Sequence, residues 1–202
     1  MEKKMRILIV GGTGTIGQAV IHELSARHTL VVAARQNAEV LVDITNTESI
    51  ETMYKKIGKI DAVISTTGNV HFGALTDMTE NEFAIGLKNK LMGQVNLVLI
   101  GLKYIQPQGS FTLTSGILNR DPIRFGASAA MVNGGIDGFV KSAAIEMPNG
   151  IRINAISPTV VAESMQEYAD YFRGFSPVPA SHVALAYSKS VEGLQTGQVY
   201  FV

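Results

Sequence analysis

The run Gly11-Gly12-Thr13-Gly14-Thr15-Ile16-Gly17 restricts the fold of this chain more than any other segment. It follows the apolar stretch Ile7-Leu8-Ile9-Val10 directly and opens into the helical pattern Gln18-Ala19-Val20-Ile21-His22-Glu23-Leu24. Strand, glycine turn and helix in immediate succession form the first half of a βαβ unit. Gly11, Gly14 and Gly17 stand three apart. Gly11 takes the tight turn, Gly14 lets backbone approach a pyrophosphate, and Gly17 lets the helix pack close to the strand. A pyrophosphate there faces the helix N-terminus, around Thr13, Thr15 and Ile16, where the dipole favours an anion. The alternative is an ordinary glycine-rich β–α turn without a ligand.

Strand and helix patterns alternate through the rest of the chain, which predicts a parallel sheet covered on both faces. Strands are expected at 6–10, 29–33, 40–42, 62–66, 110–114, 151–156 and 198–202. Helices are expected at 16–26, from a cap at Thr45 or Asn46 to about 56, at 80–104 capped by Thr79, at 127–146 and at 180–191. The fold class is therefore α/β: a Rossmann-like, doubly wound parallel sheet of about seven strands in three α/β/α layers. No repeat, low-complexity tract or linker interrupts the pattern, so residues 1–202 are expected to form one domain. Residues 34–39 are too few for a crossover helix, which needs about a dozen residues. One helix is thus expected to be missing beside the third strand, leaving that end of the groove open.

Lys and Arg together equal Asp and Glu, so no basic excess points to nucleic acid. Cysteine is absent, which removes disulfides, a thiol nucleophile and thiolate metal sites. The four histidines, His22, His28, His71 and His182, show no metal-ligand spacing. The start Met1-Glu2-Lys3-Lys4-Met5-Arg6 leads into only four strongly apolar residues, too few for a signal-peptide core, and no stretch reaches the length of a membrane span. A cytoplasmic protein without membrane attachment is the expectation.

These residues resemble the short-chain dehydrogenase/reductase family from the first strand to the last. The glycine turn matches. Asp43-Ile44 looks like the pair that holds the adenine ring, and Ser65-Thr66-Thr67-Gly68 stands where the family has Asn-Asn-Ala-Gly. Thr114-Ser115-Gly116 ends the fifth strand, where the family places its catalytic serine. The segment Ile151-Arg152-Ile153-Asn154-Ala155-Ile156-Ser157-Pro158 resembles the run into the turn beside the nicotinamide, with Thr159 replacing the usual glycine. Thr196-Gly197-Gln198-Val199 looks like the start of the last strand. The resemblance implies a nicotinamide dinucleotide. Ala33-Ala34-Arg35 offers a guanidinium, and no carboxylate, where the ribose is read, which favours NADP over NAD. A solvated turn residue is the other reading of Arg35.

The family's Tyr-x-x-x-Lys pair is missing. Counting back from Gly138-Phe139-Val140-Lys141 places the tyrosine position at Ala129 and the lysine position at Asn133. Alanine transfers no proton, and asparagine can bond a ribose hydroxyl but carries no charge. Lys90 stands where the family has an asparagine, so lysine and asparagine have exchanged places. Its amine either reaches toward the vacant position or snorkels to solvent. Ser115, Asn133 and Lys90 are the candidate catalytic residues; Tyr168, Tyr171 and His71 are alternative proton donors. An oxidoreductase of unknown substrate and an inactive NADP(H)-binding sensor both remain open. The small residues of the helix at 127–146 and the positions Leu87, Leu91, Val95 and Val98 suggest a dimer or tetramer, or simply packing on the sheet.

Overall fold

Successive side chains of β1 (Arg6–Val10) serve opposite sides of a sheet. Leu8 and Val10 join one core, and Ile7 and Ile9 join another. The computed structural model describes residues 4–202; Met1, Glu2 and Lys3, which begin the stretch read for a targeting signal, lie outside the described residues. The strands are β1, β2 (Thr29–Ala34), β3 (Val40–Leu41), β4 (Ile60–Ser65), β5 (Ile105–Thr114), β6 (Arg152–Ser157) and β7 (Val199–Phe201). They form one sheet in the order β3-β2-β1-β4-β5-β6-β7, with every pair parallel. Strand order reverses between β1 and β4, and the crevice at that switch point is where such sheets bind ligands.

Helices α1 (Thr15–Leu24) and α6 (Ala180–Glu192) cover one side through Val20, Leu24, Val183 and Tyr187. Helices α2 (Thr47–Ile57), α4 (Met92–Gly101) and α5 (Ala127–Ala143) cover the other through Ile50, Leu97, Val98, Ile136 and Val140. The missing helix is confirmed: the link from β2 to β3 is a turn through Asn37 at φ 56°. Leu30 and Val32 of β2 are left half-buried on the side that helix would have covered. Asn46 caps α2 by accepting from the N–H groups of Glu48 and Ser49. No helix among the described residues is long and apolar enough to cross a membrane.

The helix expected at 80–104 is not uniform. It runs as α3 (Glu80–Gly86), a π-turn (Leu87–Leu91) and α4. Thr79 and Glu82 cap α3 with a reciprocal box. The i→i+5 turn adds a residue, so apolar positions before and after it do not share one face. Val95 and Val98 pack inward on the sheet and Leu91 packs against the core, while Leu87 remains exposed. Gly135 lies against Leu91 of the same chain, where a Cβ would come within 3.0 Å. Leu91, Val95 and Val98 therefore serve the chain's own core. The exposed large apolar residues of these helices are Ile85, Leu87, Met92, Leu99 and, from α5, Met131.

Candidate functional site

The glycine turn closes as its spacing predicts. Gly11 has φ 90° and donates its N–H to the Ala33 carbonyl at 2.8 Å. A Cβ on Gly17 would stand 2.3 Å from the Gly11 oxygen, so only glycine lets α1 seat on the turn. Gly17 is buried in that contact and does not line the groove. At Gly14 a Cβ would meet only the Gly11 oxygen, at 3.5 Å. The protein does not need glycine there; its absent side chain keeps the groove floor open. No side chain caps α1, so its first N–H groups remain available to an anion. Thr15 begins α1 and is exposed beside the groove.

The groove has a volume of about 450 Å³. Gly11, Thr13 and Gly14 form its floor, Ala34, Arg35, Asp43 and Ile44 its outer end, and Thr66, Thr67 and Gly68 its far wall. Ile44 is held against α4, where a Cβ on Gly93 would come within 2.8 Å of it. Asp43 accepts from the hydroxyl and the N–H of Thr45 at 2.7 and 2.9 Å. Those bonds, and to a smaller degree the Arg35 charge, hold its carboxyl below the ordinary range. Arg35 is exposed at the groove's mouth. The end of β2 carries no acidic residue, but Asp43 from beyond β3 lies close enough to Arg35 to feel its charge.

Thr66, Thr67 and Gly68 also line an inner cavity of about 250 Å³, so the two spaces share a wall. Ile16, Ser115, Ala129, Asn133, Lys90 and Pro158 line this cavity. Ser115 reaches it at the end of β5, anchored by its N–H on the Ile156 carbonyl at 2.9 Å. Ser115 and Asn133 are each only 2% exposed, yet Ser115 Oγ and Asn133 Oδ1 have no hydrogen-bond partner among the described residues. Buried polar atoms of this kind mark a place where a ligand or water completes the bonding.

Lys90 does not snorkel. Its Nζ donates to the Ser115 carbonyl at 2.9 Å, and its stem packs against Gly68. Burial of the amine lowers its pKa to about 8, opposed by the negative charge of Asp137. The π-turn places it there, and that turn is held by Gln94. The Gln94 amide donates to the carbonyls of Lys90 and Thr114, while its oxygen accepts from the Thr114 N–H.

The alternative donors stand elsewhere. Tyr168 packs between the rings of Phe72 and Phe172, and burial raises its pKa. Tyr171 meets Phe125 edge-on and is 45% exposed. His71 sits by Gly73 near Glu82 of α3. None of the three lines the inner cavity, but Tyr168 lines an adjoining one that shares Ile16, Gly68, Val70, Phe72, Thr159, Val160 and Phe172 with it. Val70, Phe72, Leu118, Val160 and Phe172 close the cavity with apolar surface.

Three contributors escape a sequence reading. Gln94 is a buried amide in an apolar helix. Asn89 accepts from the Asn69 N–H at 2.7 Å and fixes the loop after β4. Asp137 lies one helical turn beyond Asn133, bonded through Oδ2 to Asn119 at 2.6 Å. A carboxylate at i+4 from Asn133, on the same helix face, was the one signal in the sequence.

A family model described as enoyl-(acyl carrier protein) reductase matches residues 16–196. The chain is 27% identical to isoepoxydon dehydrogenase of Penicillium expansum, over 77% of this chain and 70% of that protein. It is 26% identical to 3-oxoacyl-[acyl-carrier-protein] reductase of Haemophilus influenzae, over 79% of this chain and 75% of that protein. Among solved structures, the protein lin1944 of Listeria innocua superposes with a TM-score of 0.97 at 50% identity, covering 98% of this chain and 99% of that one. A small-chain dehydrogenase in complex with NADPH gives a TM-score of 0.87 at 28% identity, covering 99% and 97%.

Proposed function

The chain belongs to the short-chain dehydrogenase/reductase family, and on that premise we propose that it is an NADP(H)-dependent oxidoreductase acting on a carbonyl or alcohol substrate. The observation that carries this reading is the continuity of the two spaces. A groove floored by a glycine turn shares Thr66, Thr67 and Gly68 with an adjoining cavity, where the buried Ser115 Oγ has no partner among the described residues.

The residues present fit a dinucleotide. In this reading Gly11, Thr13, Gly14, Thr15 and Ile16 receive the pyrophosphate, with Gly17 closing the turn beneath them. Arg35 takes the ribose 2′-phosphate through its guanidinium, Asp43 and Ile44 flank the adenine, and Thr66, Thr67, Gly68 and Pro158 border the nicotinamide end. The NADPH complex of a 28% identical neighbour supports the choice of NADP over NAD. When bound, the reduced nicotinamide supplies a hydride. Ser115 donates a hydrogen bond that orients the substrate carbonyl, and Asn133 bonds a ribose hydroxyl without adding charge. The apolar walls exclude water from the reacting carbonyl.

We read residues 1–202 as one nucleotide-binding domain and the protein as cytoplasmic. The exposed apolar residues along α3, the π-turn, α4 and α5 support a homo-oligomer, a dimer or tetramer.

Calorimetric titration with NADPH, and with NADH as the control, tests the cofactor. Micromolar NADPH affinity with much weaker NADH binding is expected, followed by turnover in a screen of small carbonyl compounds. Tight NADPH binding without turnover of any of them fits a nucleotide-responsive protein instead, and binding of neither nucleotide overturns the assignment.

A further inference from the structure

Lys90 is the one titratable side chain among the described residues that line the inner cavity. Every other wall residue is apolar, a hydroxyl, an amide or glycine. A carbonyl reduction needs a proton on oxygen as well as a hydride on carbon, and alanine at position 129 supplies none. We propose that Lys90 is the catalytic acid, and that its substrates are small, uncharged aldehydes or ketones; this rests on the oxidoreductase reading above.

Three features place the amine for that role. First, Nζ bonds to the carbonyl of Ser115, the residue whose free hydroxyl faces the same cavity. One hydrogen bond occupies one of the ammonium's three donors, and the others remain for a substrate oxygen. Second, the π-turn and the Gln94 bonds fix the backbone that carries it. Third, the amine is enclosed, so the loss of its proton to a nascent alkoxide relieves an unfavourable buried charge. Asp137 is the charged group coupled to it, from α5, and keeps a protonated fraction near neutral pH.

The step balances simply. The carbonyl carbon accepts the hydride from the reduced nicotinamide, and the carbonyl π electrons move to oxygen. That oxygen takes the proton from Lys90 Nζ. An alcohol, the oxidised nicotinamide and a neutral amine result, and the amine regains a proton from solvent. The substrate class follows from the walls. Val70, Phe72, Leu118, Val160 and Phe172 provide apolar contact, and no arginine lines the cavity to pair a carboxylate or phosphate. The small side chain of Ala129 adds room to the same cavity.

Reductive methylation of the folded protein with isotope-labelled formaldehyde makes each lysine amine visible by NMR, and Lys90→Arg identifies its signal. In the nucleotide-free protein, the Lys90 signal should titrate near 8, apart from surface lysines at about 10.4. Titration with the surface lysines overturns the proposal whatever the activity. In turnover of uncharged aldehydes with NADPH, Lys90→Met and Lys90→Arg should lose about 10²- to 10⁴-fold in kcat, with NADPH affinity retained. Arginine keeps the charge but does not release a proton, so its failure separates acid catalysis from electrostatics. If both variants keep the rate and the pH profile, Lys90 is not the acid while the oxidoreductase reading stands. If the wild type binds NADPH and reduces no aldehyde or ketone, that reading fails and the proposal with it.

Discussion

Gln94 and Thr114 exchange two hydrogen bonds of 2.8 Å, amide N–H to carbonyl and backbone N–H to amide oxygen. The side chain thus satisfies the backbone at the end of β5 as a neighbouring strand would, from within a helix. Gln94 is fully buried. Gln94→Met leaves both Thr114 backbone groups unpaired, at roughly 1–3 kcal/mol each. A loss of about 3 kcal/mol in urea unfolding is expected, and an unchanged midpoint would refute this account of the clamp.

Gly14 and Gly17 should behave oppositely. Gly17→Ala drives a Cβ to 2.3 Å from the Gly11 oxygen, so it should destabilise the fold severely. Gly14→Ala meets only an ordinary contact and costs the fold about 1 kcal/mol or less. It should nevertheless weaken NADPH binding at least tenfold. Thermal melts and calorimetry on the two variants separate packing from ligand approach.

Arg35→Glu replaces a phosphate donor by a repelling carboxylate. A charged hydrogen bond is worth about 1.5–3 kcal/mol, which converts to about 10- to 100-fold in NADPH affinity. NADH affinity should hold or improve. Equal losses for both nucleotides would place Arg35 outside ribose recognition.

Asp137→Asn removes the negative charge that favours protonated Lys90. The amine's pKa, lowered to about 8 by burial against that charge's pull, should fall further. A reduction that needs protonated Lys90 then loses rate at lower pH than in the wild type. A pH profile that stays put or moves alkaline contradicts the coupling.

Glu192 accepts bonds from Arg27, Ser188 and His28. Burial alone would raise its carboxyl; the bonds, Arg27 foremost, more than offset this and hold it at about 2. A depressed folded pKa gives stability that is complete above the unfolded value of 4.5 and is lost as pH falls through about 2. Its contribution is about 2 kcal/mol after screening. Glu192→Gln should flatten the acid limb of stability between those values, read by denaturant unfolding at successive pH.

Much of the fold was legible because each layer has its own period. Apolar runs set β1, β4 and β6, Asn46 marked the start of α2, and the short span at 34–39 showed the missing helix. What misled was helix regularity. The pattern at 80–104 reads as one amphipathic helix, and Leu87, Leu91, Val95 and Val98 as one stripe, because a π-turn leaves no mark in residue spacing.

The sequence by itself determined the parallel sheet, the glycine turn and the absence of any Tyr-x-x-x-Lys spacing, since these depend on residue type and local period. Only the tertiary structure decided where the Lys90 amine points and which groups it meets. The extra residue of the π-turn rotates it inward, and Gln94 of α4 ties that turn to Thr114 of β5. Burial against Ser115 and Asp137 then sets its charge. Those contacts join residues far apart in the chain, and side-chain direction, desolvation and electrostatic coupling exist only once the strands and helices have packed.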